Sequence, residues 1–140
     1  MALNFRKGEI LAINKPYRMS SFGALARVRY LISRKMGVKR VKTGHAGTLD
    51  PLATGVLILC RATKMVEELQ AHTKEYTATL QLGATTASYD MEHEVNATFP
   101  TGHITKELID SVLRRFEGDI DQIPPSYCAC KINGDRAYKL

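Results

Sequence analysis

The chain has no tryptophan, and only 7% of its 140 residues are aromatic, so its core must be aliphatic, resting on Leu, Ile, Val and Ala. It has three cysteines, an odd number without a disulfide-type framework, which fits a reducing compartment. Cys60 closes the apolar run Val56 to Leu59 and reads as a small buried hydrophobe. Cys128 and Cys130 lie too close together, without histidines at ligand spacing, to make a metal site alone. No apolar run is long enough to span a bilayer, and Met1 to Lys7 is polar with no signal-peptide core behind it. A cytoplasmic protein with no membrane partner is expected. No repeat, low-complexity stretch or Pro/Gly/Ser linker divides the chain, so residues 1–140 read as a single domain, with 44% hydrophobic residues to fill it.

Acid is missing from one whole region. From Met1 to Leu49 there are eleven Lys/Arg against Glu9, a balance of +10, whereas the remainder carries nine Lys/Arg and thirteen acids, a balance of −4. Between Ile10 and Leu49 stand Lys15, Arg18, Arg27, Arg29, Arg34, Lys35, Lys39, Arg40 and Lys42 with no acid at all. Ordinary solvated faces mix signs; a one-sided positive field attracts polyanions, because each neutralised phosphate releases counterions. Nucleic acid is the partner this implies.

Glu9 to Ile13 fits a first strand ahead of the turn signal Asn14-Lys15-Pro16. Ser20 or Ser21 can cap a helix in which Phe22, Leu25, Val28, Ile32 and Met36 form one stripe and Arg27 and Arg34 share another face, with Gly37 to end it. Lys42 to Gly55 reads as a loop, Val56 to Cys60 as a buried strand, and Lys64 to Ala71 as a helix. Tyr76, Ala78, Leu80 and Leu82 alternate with polar residues, which predicts a strand with one buried face. Ile104, Leu108, Val112 and Phe116 recur every four residues, widened by Ile109 and Leu113, and Gly118 is placed to stop that helix. The expected fold class is α/β (α+β), with a mixed, largely antiparallel sheet and packed helices.

The loop from Gly44 to Gly55 holds one carboxylate, Asp50, stiffened by Pro51 and set among three glycines. Following so much positive charge, it stays charged and can act as a nucleophile or base; the plain alternative is an Asp that caps a turn. Phosphoryl transfer would need a second acid or a Lys close by, and glycoside hydrolysis a paired carboxylate, whereas Glu67 and Glu68 fall on a surface helix. A metal-dependent aspartate hydrolase ranks last. A lone, rigid Asp suits a reaction on a nucleic-acid base that needs no metal and no cofactor.

The segment Gly44-His45-Ala46-Gly47-Thr48-Leu49-Asp50-Pro51-Leu52-Ala53-Thr54-Gly55-Val56-Leu57 resembles the catalytic signature of the bacterial tRNA pseudouridine synthase B family. Three weaker blocks follow the family order: Asn14-Lys15-Pro16 with Ser20-Ser21, Lys74-Glu75-Tyr76 through Gly83 and Asp90, and Gln122-Ile123-Pro124-Pro125-Ser126-Tyr127 through Lys131, Gly134 and Arg136-Ala137-Tyr138. Departures are Arg18 where Gly is usual, His93 where Gly is common, and Cys128 where Ser is frequent. The resemblance implies the pseudouridine synthase fold and isomerisation of the T-loop uridine at tRNA position 55, with the base flipped out of its stack. It makes Asp50 the catalytic carboxylate, attacking sugar or base or removing a proton.

By the same resemblance, Tyr76 stacks on the flipped uracil and His45 fills the space the base leaves; the plainer alternatives are a core tyrosine and a histidine bonded to its own loop. Asp90 contacts the substrate or organises a turn at a strand end. Lys131 and Arg136 bind substrate, and Lys15, Arg27, Arg34, Lys39, Arg40 and Lys42 are expected on the RNA backbone, with the tRNA T-stem-loop as partner. Family members continue past this point with a further Arg, a block that completes the uracil pocket and a small RNA-binding domain. The chain is therefore expected to be the N-terminal part of a catalytic domain, with little activity alone and with self-association through an exposed sheet edge. A non-catalytic RNA-binding module is the competing reading.

Overall fold

The computed structural model describes residues 5, 8–60, 64–123, 127, 131–132 and 135–136. It resolves into two compact units, Met1–Tyr76 and Thr77–Leu140.

In the first unit β1 (Ile10–Lys15) leads into α1 (Ser21–Met36), then come β2 (Gly44–Ala46), β3 (Gly55–Cys60) and α2 (Lys64–Ala71). The sheet order is β1-β3-β2, antiparallel throughout, with Ile13 opposite Leu57 and His45 opposite Leu59. Helix α1 has the bounds its caps dictate. Ser20 sits in extended backbone and its hydroxyl accepts from Gly23 N at 3.0 Å; Gly37, at φ 65°, takes the left-handed position and returns its N–H to Arg34 O. Ala24 and Leu25 of the helix pack on Leu57 and Leu59 of β3, with Leu11, Ile13, Met19, Val28 and Leu49 around them. Each such leucine, withdrawn from water, contributes about 1.5–3 kcal/mol. Cys60 is buried and free as a thiol, which desolvation holds in its protonated form by raising its pKa.

Two expectations for α1 and its surroundings change. The buried face runs through Ser21, Leu25, Val28 and Ile32, and Phe22, about 100° further round, is exposed with the Arg29 guanidinium near its ring. The loop over 42–55 also contains β2, whose pairing is provided by β3 and not by its own sequence.

The second unit has β4 (Ala84–Thr86) paired antiparallel with β5 (Val95–Thr98), α3 (Lys106–Leu113) continued by a 3-10 turn (Arg114–Phe116), and a hairpin of β6 (Lys131–Ile132) with β7 (Asp135–Arg136). Thr105 caps α3 by accepting from Leu108 N, and Gly118 lies just beyond the helical turns at φ 80°. The strand expected over Tyr76 to Leu82 is absent: residues 73–81 have no regular structure and Tyr76 is exposed, not on a buried face. Alternation suits a strand only where a neighbour supplies N–H and C=O groups, and among the described residues none pairs with this segment. The apolar stripe of α3 forms as expected, yet Leu108, Ile109, Val112, Leu113 and Phe116 are all exposed. Among the described residues no helix is long and apolar enough to cross a membrane.

Candidate functional site

Asp50 opens a tight turn that Pro51 stiffens and that Ala53 N closes on Asp50 O at 3.0 Å. Gly47 at φ 82° and Gly55 at φ 131° bend the chain on either side, conformations that a side chain resists. Asp50 is exposed, and among the described residues its carboxylate accepts no hydrogen bond. A turn-capping Asp would spend its oxygens on nearby N–H groups. This carboxylate is available to a ligand.

The bend is held from both ends. Leu49, just before Asp50, packs against the core, and its backbone is bonded in both directions to Ser21, whose hydroxyl donates to Leu49 O at 2.8 Å and accepts from Leu49 N at 2.9 Å. Just after Asp50, the carbonyl of Pro51 accepts from Lys15 Nζ at 3.3 Å, and the same ammonium donates to Pro16 O at 3.1 Å and Met19 O at 2.6 Å. Ser21 was foreseen only as one of two possible caps. Nothing in its spacing marks the bond to Leu49, which lies 28 residues away.

Lys15 requires a correction. It was expected on the RNA backbone, but it has 0% of its surface exposed and all three of its donors meet main-chain oxygens. A phosphate cannot reach it here. Its charge braces the turn after β1 against the Asp50 bend.

The other basic residues of this unit divide by exposure. Arg27, Arg34, Lys39, Arg40 and Lys42 are exposed, and Val41, 3% exposed, anchors the segment between Arg40 and Lys42. Arg29 instead turns inward, donating from Nε to Thr43 Oγ1 at 2.9 Å and from Nη2 to Thr43 O at 3.3 Å, which ties α1 to the chain entering β2. His45, half-buried on β2, holds Gly47 O at 2.6 Å from Nδ1, so that nitrogen carries the proton and Nε2 is left over. Its ring closes its own loop, beside the bend that carries Asp50. Tyr76 offers an exposed ring on irregular chain.

In the second unit Asp90 organises a turn. Its Oδ1 accepts from Glu92 N at 2.9 Å and from the Ser88 hydroxyl, which accepts in turn from His93 Nδ1 at 2.9 Å. The His93 ring also lies 4.7 Å from that of Tyr127. Lys131 and Arg136 are brought opposite each other as register partners of β6 and β7. Pro124, Pro125, Ser126, Cys128, Cys130, Gly134, Ala137 and Tyr138 lie outside the described residues. Among the described residues no group of His, Cys, Asp or Glu could hold a metal ion.

The sequence that builds this bend is similar to that of known proteins. The family model for the N-terminal domain of TruB family pseudouridylate synthases matches residues 33–140. The tRNA pseudouridine synthase B of Bacteroides thetaiotaomicron is 61% identical over 140 residues, which cover 99% of this chain and 58% of that protein. That of Phocaeicola vulgatus is 59% identical, covering 99% of this chain and 60% of its own length, and that of Mycobacterium bovis 43% identical, covering 94% and 43%. The chain thus spans about three fifths of the length of the first two of these curated relatives.

Proposed function

We propose a function from one premise: this chain belongs to the TruB family of pseudouridylate synthases. The protein that carries it isomerises a uridine of tRNA to pseudouridine, at position 55 of the T-loop, with Asp50 as the catalytic carboxylate. The reaction breaks the bond from uracil N1 to ribose C1′, turns the base, and joins C5 to C1′, with the C5 proton released and N1 protonated. No atom is gained or lost, so the chemistry is that of an isomerase, and a single carboxylate suffices to attack sugar or base or to take a proton.

The observation that carries this reading is the open Asp50 carboxylate on a bend fixed at both neighbours. A base drawn out of its stack must find the reacting group already in place, since fluctuation there would forfeit the gain from positioning. Exposed Arg27, Arg34, Lys39, Arg40 and Lys42 supply a surface for the phosphates of a T-stem-loop. Tyr76, exposed, is free to stack on the extruded uracil, a contact worth about 1–3 kcal/mol. His45 takes the space the base vacates; in the second unit, Asp90, Lys131 and Arg136 are read as substrate contacts of that unit by itself. We infer a cytoplasmic location, a reading that a tRNA substrate supports.

The test is Asp50→Asn in the full-length protein, assayed for pseudouridine in a T-stem-loop RNA and for RNA affinity. Loss of product by several orders of magnitude with affinity retained is expected. Product formation that survives the substitution removes Asp50 from the chemistry and leaves an RNA-binding module as the better account.

A further inference from the structure

Arg18 adopts φ 59°, one of two non-glycine residues with positive φ among those described. That conformation presses Cβ toward the following carbonyl, a penalty glycine escapes. The fold gives Arg18 little in exchange. Among the described residues its guanidinium has no hydrogen bond or ion pair, and it rests over the ring of Tyr17, 5.5 Å from the centroid. Both side chains are exposed, and no acid stands between Ile10 and Leu49 to neutralise the charge.

The turn that displays this pair is attached to the site. Pro16 and Met19, which flank Tyr17 and Arg18, both give their carbonyls to Lys15 Nζ, and the third carbonyl on that atom belongs to Pro51, next to Asp50. One buried ammonium therefore locks the Tyr17–Arg18 turn to the bend that carries the carboxylate. That lock holds the strained backbone of Arg18 in place, and strained positions held in this way cluster where a ligand uses them.

The geometry points to Arg18, stacked on Tyr17, as a contact for the phosphate backbone of bound RNA at the rim of the Asp50 site. The inference rests on the RNA-modifying function proposed above and adds a residue to it. A ring beneath a guanidinium restrains the long side chain while leaving the N–H groups at its edge for phosphate oxygens. Such a contact sets the register of the RNA against the bend without reading its sequence.

The test compares Arg18→Asn and Arg18→Gly with the unsubstituted full-length protein, titrated with a T-stem-loop RNA across a salt series. Both replacements remove the charge and tolerate positive φ. At about 0.1 M salt the affinity should fall roughly five- to tenfold, and the dependence of log affinity on log salt should become shallower by about one phosphate contact. The unfolding midpoint should not fall in Arg18→Asn, because the strain has been relieved. Unchanged affinity and slope overturn the contact, and so does a loss of affinity with an unchanged slope. If the unsubstituted protein does not bind the RNA, the proposed function and this contact fall together. If it binds and forms pseudouridine while both variants bind as it does, only the Arg18 contact falls.

Discussion

Replacing Lys15 with Met keeps a stem of similar length and deletes the ammonium that joins Pro16, Met19 and Pro51. Hydrogen bonds from a charged donor are worth about 1.5–3 kcal/mol each, and a buried carbonyl stripped of its donor costs about 1–3 kcal/mol. Against that stands the desolvation of a fully buried ammonium, several kcal/mol that Met never incurs. The longest of the three bonds, to Pro51 at 3.3 Å, is also the weakest, so the net loss should be on the order of 2–4 kcal/mol. For a domain of this size that lowers the thermal midpoint by about 10 °C. Circular dichroism melts measure it, and an RNA titration across salt on the same variant gives the second half of the answer. The slope should keep its full number of phosphate contacts, because Lys15 touches none. A variant that melts with the unsubstituted protein but binds RNA with a shallower slope would refute the brace and restore Lys15 to the RNA backbone.

Two other perturbations follow from the same geometry. Ser21→Ala removes both bonds to Leu49 and should cost about 1–2 kcal/mol, speed amide exchange at Leu49, and lower kcat for pseudouridine formation more than it raises KM; equal exchange at Leu49 would show that the hydroxyl does not hold the bend. Burial raises the Cys60 thiol above its ordinary value of 9.0, so the folded state keeps its proton where the unfolded chain has lost it. The stability tied to that thiol is complete below pH 9 and declines as pH rises above it; Cys60→Ala should lack that part of the decline in melts taken between about pH 7 and 10, and parallel curves would contradict the sign.

What could be read in the sequence was what neighbouring residues decide. Ser20 and Gly37 bound α1 because a cap and a left-handed terminus act within one turn of the helix. Asp50 and its bend were legible for the same reason: Pro51, Gly47 and Gly55 shape their own few residues. Partners distant in the chain were not. The alternation of Tyr76 to Leu82 has the pattern of a strand but no described neighbour to pair with, and β2 exists because β3 runs beside it. Lys15 misled because charge is usually solvated; only a fold that brings three carbonyls to one point can bury it. Phe22 misled through a small angular error, since a residue about a quarter turn from the stripe ends in solvent.

The position of β3 has a practical result. Among the described residues it is the one strand of its sheet with hydrogen-bonded neighbours on both sides, and the polypeptide passes from Asp50 into it within a few residues. Such backbone opens only when much of its unit comes apart. On the proposed function, activity and folding stability are therefore coupled mechanically: trimming Leu57 or Leu59 would disturb the Asp50 bend from underneath, and an inactive interior variant would report a displaced scaffold before it reported anything about the reaction.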